Sequence, residues 1–214
     1  MPRFFSILLG ITAVTAVFVM VGWVFGIDVL TRIAPGLPSM KFTTALSFLL
    51  SACLLFFLAQ REEVGEVTPW GSIVIPTISL TLLLLMGTSF LSFFFNFRTG
   101  IEYFFVPDLA DTGVFIPPGT PSIGTMLAFT SIATFGIIGM TDVRWRLWVY
   151  RVLAMLTGIL GAVAVIGFIL GIPLLYYTLD RVSSGMSLHT AILFVFVGVA
   201  QWVFVRHGAS VPSS

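Results

Sequence analysis

The chain has 214 residues, 58% hydrophobic and 9% charged, with 10 basic and 9 acidic side chains and a mean hydropathy of +1.10. A soluble domain carries about 25% charged residues, so this composition cannot cover a water-facing surface, and a net charge of +1 offers no basic face to nucleic acid. A single cysteine, Cys53, excludes an internal disulfide scaffold, and the density of apolar residues excludes a disordered chain.

Apolar blocks of about 18–25 residues with charges between them are the pattern of hydrocarbon-spanning helices. They predict spans at 4–26, 42–60, 72–95, 123–140, 147–171 and 188–205. The expected fold class is therefore an all-α integral membrane protein of six transmembrane helices, forming one domain over 1–214. Strands do not compete: a barrel strand alternates with period two, whereas Leu82-Leu83-Leu84-Leu85-Met86 is apolar on every face. The first block follows Arg3 as a signal peptide would. It is long enough to span and lacks a small-x-small cleavage site, so it is expected to be retained.

Lys and Arg beside the spans set orientation. One side holds Arg3, Arg61, Arg144, Arg146, Arg151 and Arg206, and the other holds Arg32, Lys41, Arg98 and Arg181. Six against four favours both termini in the cytoplasm, with the 144–151 group as the strongest single contribution.

Three segments begin alike: Gly26-Ile27-Asp28-Val29-Leu30, Gly100-Ile101-Glu102-Tyr103-Phe104 and Gly171-Ile172-Pro173-Leu174-Leu175. Each leads into a turn-rich stretch, at Pro35-Gly36, Pro117-Pro118-Gly119 and Ser184-Gly185. A second signature then opens the next helix: Thr44-Ala45-Leu46-Ser47-Phe48, Thr125-Met126-Leu127-Ala128-Phe129 and Thr190-Ala191-Ile192-Leu193-Phe194. Copies one and three also share Gly-x-x-x-Gly, at Gly22/Gly26 and Gly167/Gly171, and a Met four residues before the threonine, Met40 and Met186. The shared order predicts three tandem helical hairpins, units 4–60, 72–140 and 147–205. Two spans per unit orient all three the same way, as parallel repeats about an axis along the membrane normal. That parity puts the three signature loops on one face, the outer one.

Small residues four apart let helix backbones approach closely, so Gly22, Gly26, Gly167 and Gly171 read as helix-packing sites, within the chain or at a dimer face. The signature threonines Thr44, Thr125 and Thr190 fall in a first helical turn, near Ser39, Ser122 and Ser187. Hydroxyls there can cap orphan backbone donors or hold a polar ligand about an axis. Between the signatures, Tyr103, Phe104, Tyr176 and Tyr177 are amphipathic or apolar rings suited to the headgroup level. Short re-entrant or interfacial helices are expected there, as plain anchors or as a vestibule for a lipid-like or aromatic signal. With Met40 and Met186, these residues make up the candidate ligand or partner contacts.

Chemistry is sparse. No Asp, Glu or Lys falls in the central part of a span, which argues against a proton-coupled pump. His189 and His207 bracket the last span, roughly 27 Å apart at about 1.5 Å per residue, and so cannot ligate one haem together. Single ligation of a pigment or haem by either stays open, with no cofactor and no metal as the expectation. Arg61-Glu62-Glu63-Val64-Gly65-Glu66 reads as a solvated turn, and Asp108 with Asp111 as a solvated loop. No phosphate loop, HExxH helix or nucleophile elbow is present, so the chain is expected not to be an enzyme.

The pattern Gly-Ile-Asp-x-Leu, then Pro-Gly, then Met-x-x-x-Thr-Ala-Leu-x-Phe, over Gly26–Leu30, Pro35-Gly36 and Met40–Phe48, resembles the membrane-embedded N-terminal sensory region of bacterial sensor histidine kinases and diguanylate cyclases. It recurs over Met186–Phe194, and Arg98–Phe105 is similar to the extended loop of those regions. The likeness implies a sensory membrane module. In such proteins a PAS, kinase or cyclase module follows the last helix. Here the sequence runs to Ser214, nine residues past Val205 (214 − 205), so neither activity is carried over. A truncated piece, a stand-alone sensor signalling through a partner, and a recruited subunit all fit.

The favoured reading is a non-enzymatic multi-pass membrane module that senses a signal or docks partners through its outer loops and glycine-lined helix faces. Its partners would be membrane lipid and a protein partner or second copy within the membrane. The alternative is an accessory or structural subunit of a larger membrane complex. A small passive transporter ranks below both: Thr12, Thr15, Ser47, Ser51, Thr130, Ser131, Thr134, Thr157 and Gln201 could line a path, but helix hydroxyls commonly bond locally.

Overall fold

The computed structural model describes residues 1–34, 37–64, 69–95, 120–141, 145–176 and 185–208. Among them there is no strand. The elements are α1 (Arg3–Phe25), the short α2 (Asp28–Thr31), α3 (Phe42–Val64), α4 (Pro69–Phe95), α5 (Ile123–Ile138), α6 (Arg146–Leu170), a 3-10 turn (Pro173–Leu175) and α7 (Leu188–Gly208). Five helices, α1, α3, α4, α6 and α7, are long and apolar enough to cross a membrane.

The fourth predicted span, 123–140, forms a shorter helix than the sequence predicts. α5 has 16 residues, about 24 Å at 1.5 Å per residue. Its end has a visible cause. The Arg61 guanidinium donates to the Gly139 carbonyl at 2.7 Å, and the chain turns through Met140 and Thr141. A Cβ at Gly139 would lie 2.6 Å from Leu58 and 2.7 Å from the Tyr150 hydroxyl, so the turn is held from two sides.

α3 runs past its predicted end at 60 for a related reason. Arg61 to Val64, expected as part of a solvated turn, continue the helix. Arg146 pairs with Glu62 at 3.4 Å, and the N-terminal ammonium pairs with Glu63. One end of the bundle thus gathers the start of α1, the ends of α3 and α5, and the start of α6.

The helices form a closed ring of contacts. α1 packs on α3 and α7, α4 on α3 and α5, and α6 on α5 and α7, while α3 touches both α5 and α7. α3, α5 and α7 are the inner helices, with more than half of their apolar length buried. α1, α4 and α6 are buried over about a third or less and present rows of Phe, Ile, Val and Leu outward. Apolar side chains gain nothing from leaving lipid for a protein core, so close backbone approach must supply the association.

The closest crossing joins α6 to α7. A Cβ at Gly198 would sit 2.6 Å from the Gly158 Cα, and one at Gly161 would sit 2.6 Å from the Ala191 carbonyl oxygen. The colliding atoms are backbone, so the helices themselves would have to separate. Gly198→Ala therefore lowers stability by about 1–3 kcal/mol. Gly10→Ala, whose methyl meets nothing within 4 Å, changes it by no more than about 1 kcal/mol, in the stabilising direction. Denaturation of the detergent-purified chain checks the pair, and equal effects would disprove the close crossing.

Candidate functional site

The segments that the sequence singles out lie at the bundle end opposite the Arg61–Glu62–Arg146 group, where the inner helices begin. Parts of two of the three connecting segments are described there, and the described stretches run in parallel. α1 ends at Gly26 and α6 at Gly171, both left-handed (φ 67° and 64°). The next N–H, of Ile27 or Ile172, donates back to Gly22 O at 2.8 Å or Gly167 O at 2.9 Å. This is a Schellman terminus, in which the glycine avoids the Cβ strain of the left-handed region.

The chain then folds over the glycine one turn earlier. A Cβ at Gly22 would meet the Leu30 Cβ at 2.7 Å, and one at Gly167 would meet the Leu175 Cβ at 2.6 Å. The close approach that Gly22 and Gly167 permit is thus to the segment following their own helix, not to another long helix. That segment is α2 in one case and the 3-10 turn in the other, matching the expectation of short helices in these loops. Val29 and Leu174 project from them, 80% and 64% exposed.

Both segments return by the same bond. The Met40 N–H donates to Thr31 O and the Met186 N–H to Tyr176 O, each at 2.8 Å. The flanking rings differ. The Trp23 indole N–H donates to Met40 O at 2.7 Å, whereas Phe168 stacks on Tyr176 with centroids 4.1 Å apart. Met40 and Met186 are buried, and Tyr176 is half-buried.

Each inner helix then opens in the same way. The carbonyls of Lys41, Ser122 and Ser187 accept from the N–H groups of Ala45, Met126 and Ala191 at 2.9–3.0 Å. In two copies a hydroxyl pair caps the turn. Ser122 Oγ accepts from the Thr125 N–H at 3.2 Å and lies 2.8 Å from Thr125 Oγ1. Ser187 repeats both distances with Thr190. In the first copy the residue three before Thr44 is Lys41, so Ser39 does not occupy the capping position. All three signature threonines are buried.

One turn deeper the helices meet. Phe48, Phe129 and Phe194, each four residues past its threonine, have ring centroids 4.7–4.9 Å apart in all three pairings. Their rings are fully buried and close the space between α3, α5 and α7. The phenylalanines stand in the signature at identical spacing, which marks them as equivalent positions, and packing alone shows that they meet.

The hydroxyls weighed as a transport path are mostly committed. Those of Thr12, Ser47, Ser51, Thr130, Thr134 and Thr157 each donate to the carbonyl four residues back at 2.7–3.0 Å. Ser131 reaches the Leu153 carbonyl on α6 at 3.1 Å. His189 is half-buried in the first turn of α7, and His207 is exposed at its far end. Tyr103, Phe104, Tyr177, the Gly100–Phe104 copy, Asp108, Asp111 and the three turn stretches apart from Gly185 lie outside the described residues.

Fold and composition together define a multi-pass α-helical integral membrane protein. The chain matches no protein-family model, no curated protein and no solved structure.

The two hydroxyl caps carry equal weight. Ser122→Ala and Ser187→Ala each lower stability by about 1 kcal/mol, while Ser39→Ala stays within about 0.5 kcal/mol of the parent. Thermal denaturation of the three variants in one detergent checks this, and a loss at Ser39 as large as the other two would contradict the assigned caps.

Proposed function

We propose that this chain is a non-enzymatic bacterial membrane module of three tandem helical hairpins, units 4–60, 72–140 and 147–205, that senses a signal or docks partners at the end where its inner helices begin. Three features support the repeat. The described connecting segments use the same terminus and return bonds, the inner helices open with the same backbone bond, and the signature phenylalanines meet. In this reading α5 joins the five longer helices as the fourth of six spans. An inner helix flanked by protein can be shorter than the hydrocarbon is thick, because its ends need not reach water alone.

The observation that carries the sensing role is the convergence of three buried, hydroxyl-bearing helix starts over the Phe48–Phe129–Phe194 floor. Helix starts present orphan N–H groups and the positive end of the macrodipole. Burying them at a membrane face suits recognition of a small polar or partly polar signal. Exposed Val29 and Leu174 would hold the two short segments at the lipid interface. A ligand or partner would act by favouring one packing of these segments over another, which requires different affinity for the two arrangements. The committed hydroxyls and the ring floor favour this over passive transport. The arginines at the opposite end favour a cytoplasmic location for it and for both termini, with a protein partner or second copy engaging the outer loops.

Gentle-detergent purification followed by native mass spectrometry tests the reading. The wild-type chain is expected to carry a small-molecule adduct that a Thr44→Val/Thr125→Val/Thr190→Val variant loses. Bare chains in both cases would refute the sensing role. Stoichiometric recovery within a large assembly, unchanged by the variant, would favour an accessory subunit instead.

A further inference from the structure

Below the phenylalanine floor, toward the end that carries Arg61 and Arg146, three further polar side chains are buried among apolar ones. Ser79 on α4 and Gln201 on α7 are 0% exposed, and Tyr150 on α6 is 1% exposed. The Ser79 hydroxyl, the Tyr150 hydroxyl and both amide atoms of Gln201 have no hydrogen-bond partner among the described residues. Two of them bear directly on one stretch of α5, and Phe204 places the third one helical turn from it. A Cβ at Gly136 would lie 2.3 Å from Ser79 Oγ, and one at Gly139 would lie 2.7 Å from the Tyr150 hydroxyl. Tyr150 stacks on Phe135 at 4.0 Å. Phe204, one helical turn beyond Gln201, packs edge-on against both rings, at 5.6 and 5.8 Å.

An amide or hydroxyl without a partner in an apolar interior is costly, and more than about 90% of buried polar groups in native proteins have one. These four atoms come from three helices: the two hydroxyls lie against Gly136 and Gly139, and Gln201 lies one helical turn from the Phe204 that packs on Phe135 and Tyr150. Their chemistry specifies what would complete them. Two hydroxyls each give and accept, and the amide gives twice and accepts at its oxygen, so the partner must itself both donate and accept. Nearby charges are already engaged: Arg61 with the Gly139 carbonyl, and Arg146 with Glu62.

We propose that the Phe135–Gly139 stretch of α5, with Ser79, Tyr150 and Gln201, forms an internal hydration site holding one or more ordered water molecules. Bound water typically makes about three hydrogen bonds to groups of this kind. It would tie α4, α6 and α7 to α5 at the level where α5 ends short. Water-mediated bonds re-form at small cost when groups move, so this joint would let α6 and α7 shift against α5 without stranding a polar group. The site stands whether or not the outer end senses a ligand.

The sequence has two glutamines, Gln60 and Gln201, which makes the test selective. The full chain, labelled with side-chain ¹⁵N-glutamine in lipid bilayers, would be examined by water-edited solid-state NMR, with Gln60→Glu assigning the two amides. Exposed Gln60 is the positive reference. The Gln201 amide is expected to receive water magnetisation at a rate approaching that of Gln60, despite complete burial. Transfer as slow as to the core methyls would overturn the site. Tyr150→Phe supplies an independent sign. With water bound, removing the hydroxyl lowers Tm by a few degrees, and combining it with Ser79→Ala loses less than the sum. An unchanged or raised Tm would mean that the hydroxyl had no partner to lose.

Discussion

Between lipid tails a leucine gains nothing by moving into a protein core, so the arrangement of these helices rests on contacts that lipid cannot imitate. The central one is the meeting of Phe48, Phe129 and Phe194. Each ring reaches the other two at under 5 Å, a separation at which aromatic edges and faces attract by about 0.5–1.5 kcal/mol per pair beyond simple burial. That contact brings the starts of α3, α5 and α7 together. The outer helices then fit into the gaps, each on two inner neighbours. The two ends of the bundle follow from the same geometry: helix starts and hydroxyls at one, arginines and glutamates at the other.

The small residues have two separate jobs. Gly158, Gly161 and Gly198 allow backbone to lie on backbone where α6 crosses α7. Gly22 and Gly167 make room for the chain's own return, while Gly26 and Gly171 supply the left-handed turn that starts it. Glycines a turn apart at a helix end, as at Gly167 and Gly171, and in mid-span, as at Gly158 and Gly161, look much alike in sequence, yet the first pair is a terminus and the second a seam. This distinction explains why the outer segments at Asp28–Thr31 and Pro173–Leu175 take such similar paths despite sharing few side chains.

Most of the helix plan was legible from hydropathy, because the hydrocarbon leaves the chain no alternative to long apolar helices. The boundaries missed in both directions had electrostatic causes. α3 overran because Glu62 and Glu63 found partners on Arg146 and the N-terminus, and α5 stopped early because Arg61 took the Gly139 carbonyl. Such pairings join residues up to 84 positions apart (146 − 62), which local pattern cannot see. The signature threonines and phenylalanines were visible as a repeated string. Which of the two forms the contact was not visible, since both recur at one spacing and only packing tells a capped hydroxyl from a buried ring. Gln201, Tyr150 and Ser79 share no motif at all. Ser79 and Tyr150 come together only because two helices bring them to one turn of a third.

The bundle is centred where the three inner helices meet through their phenylalanines. A triple-mutant cycle with Phe48→Leu, Phe129→Leu and Phe194→Leu, each alone and in every combination, measures this by equilibrium denaturation in detergent. All three pairs should show coupling, each about 0.5–1.5 kcal/mol. Additivity within about 0.3 kcal/mol for any pair would mean that those two rings are not in contact, and the common centre of the bundle would be lost with them.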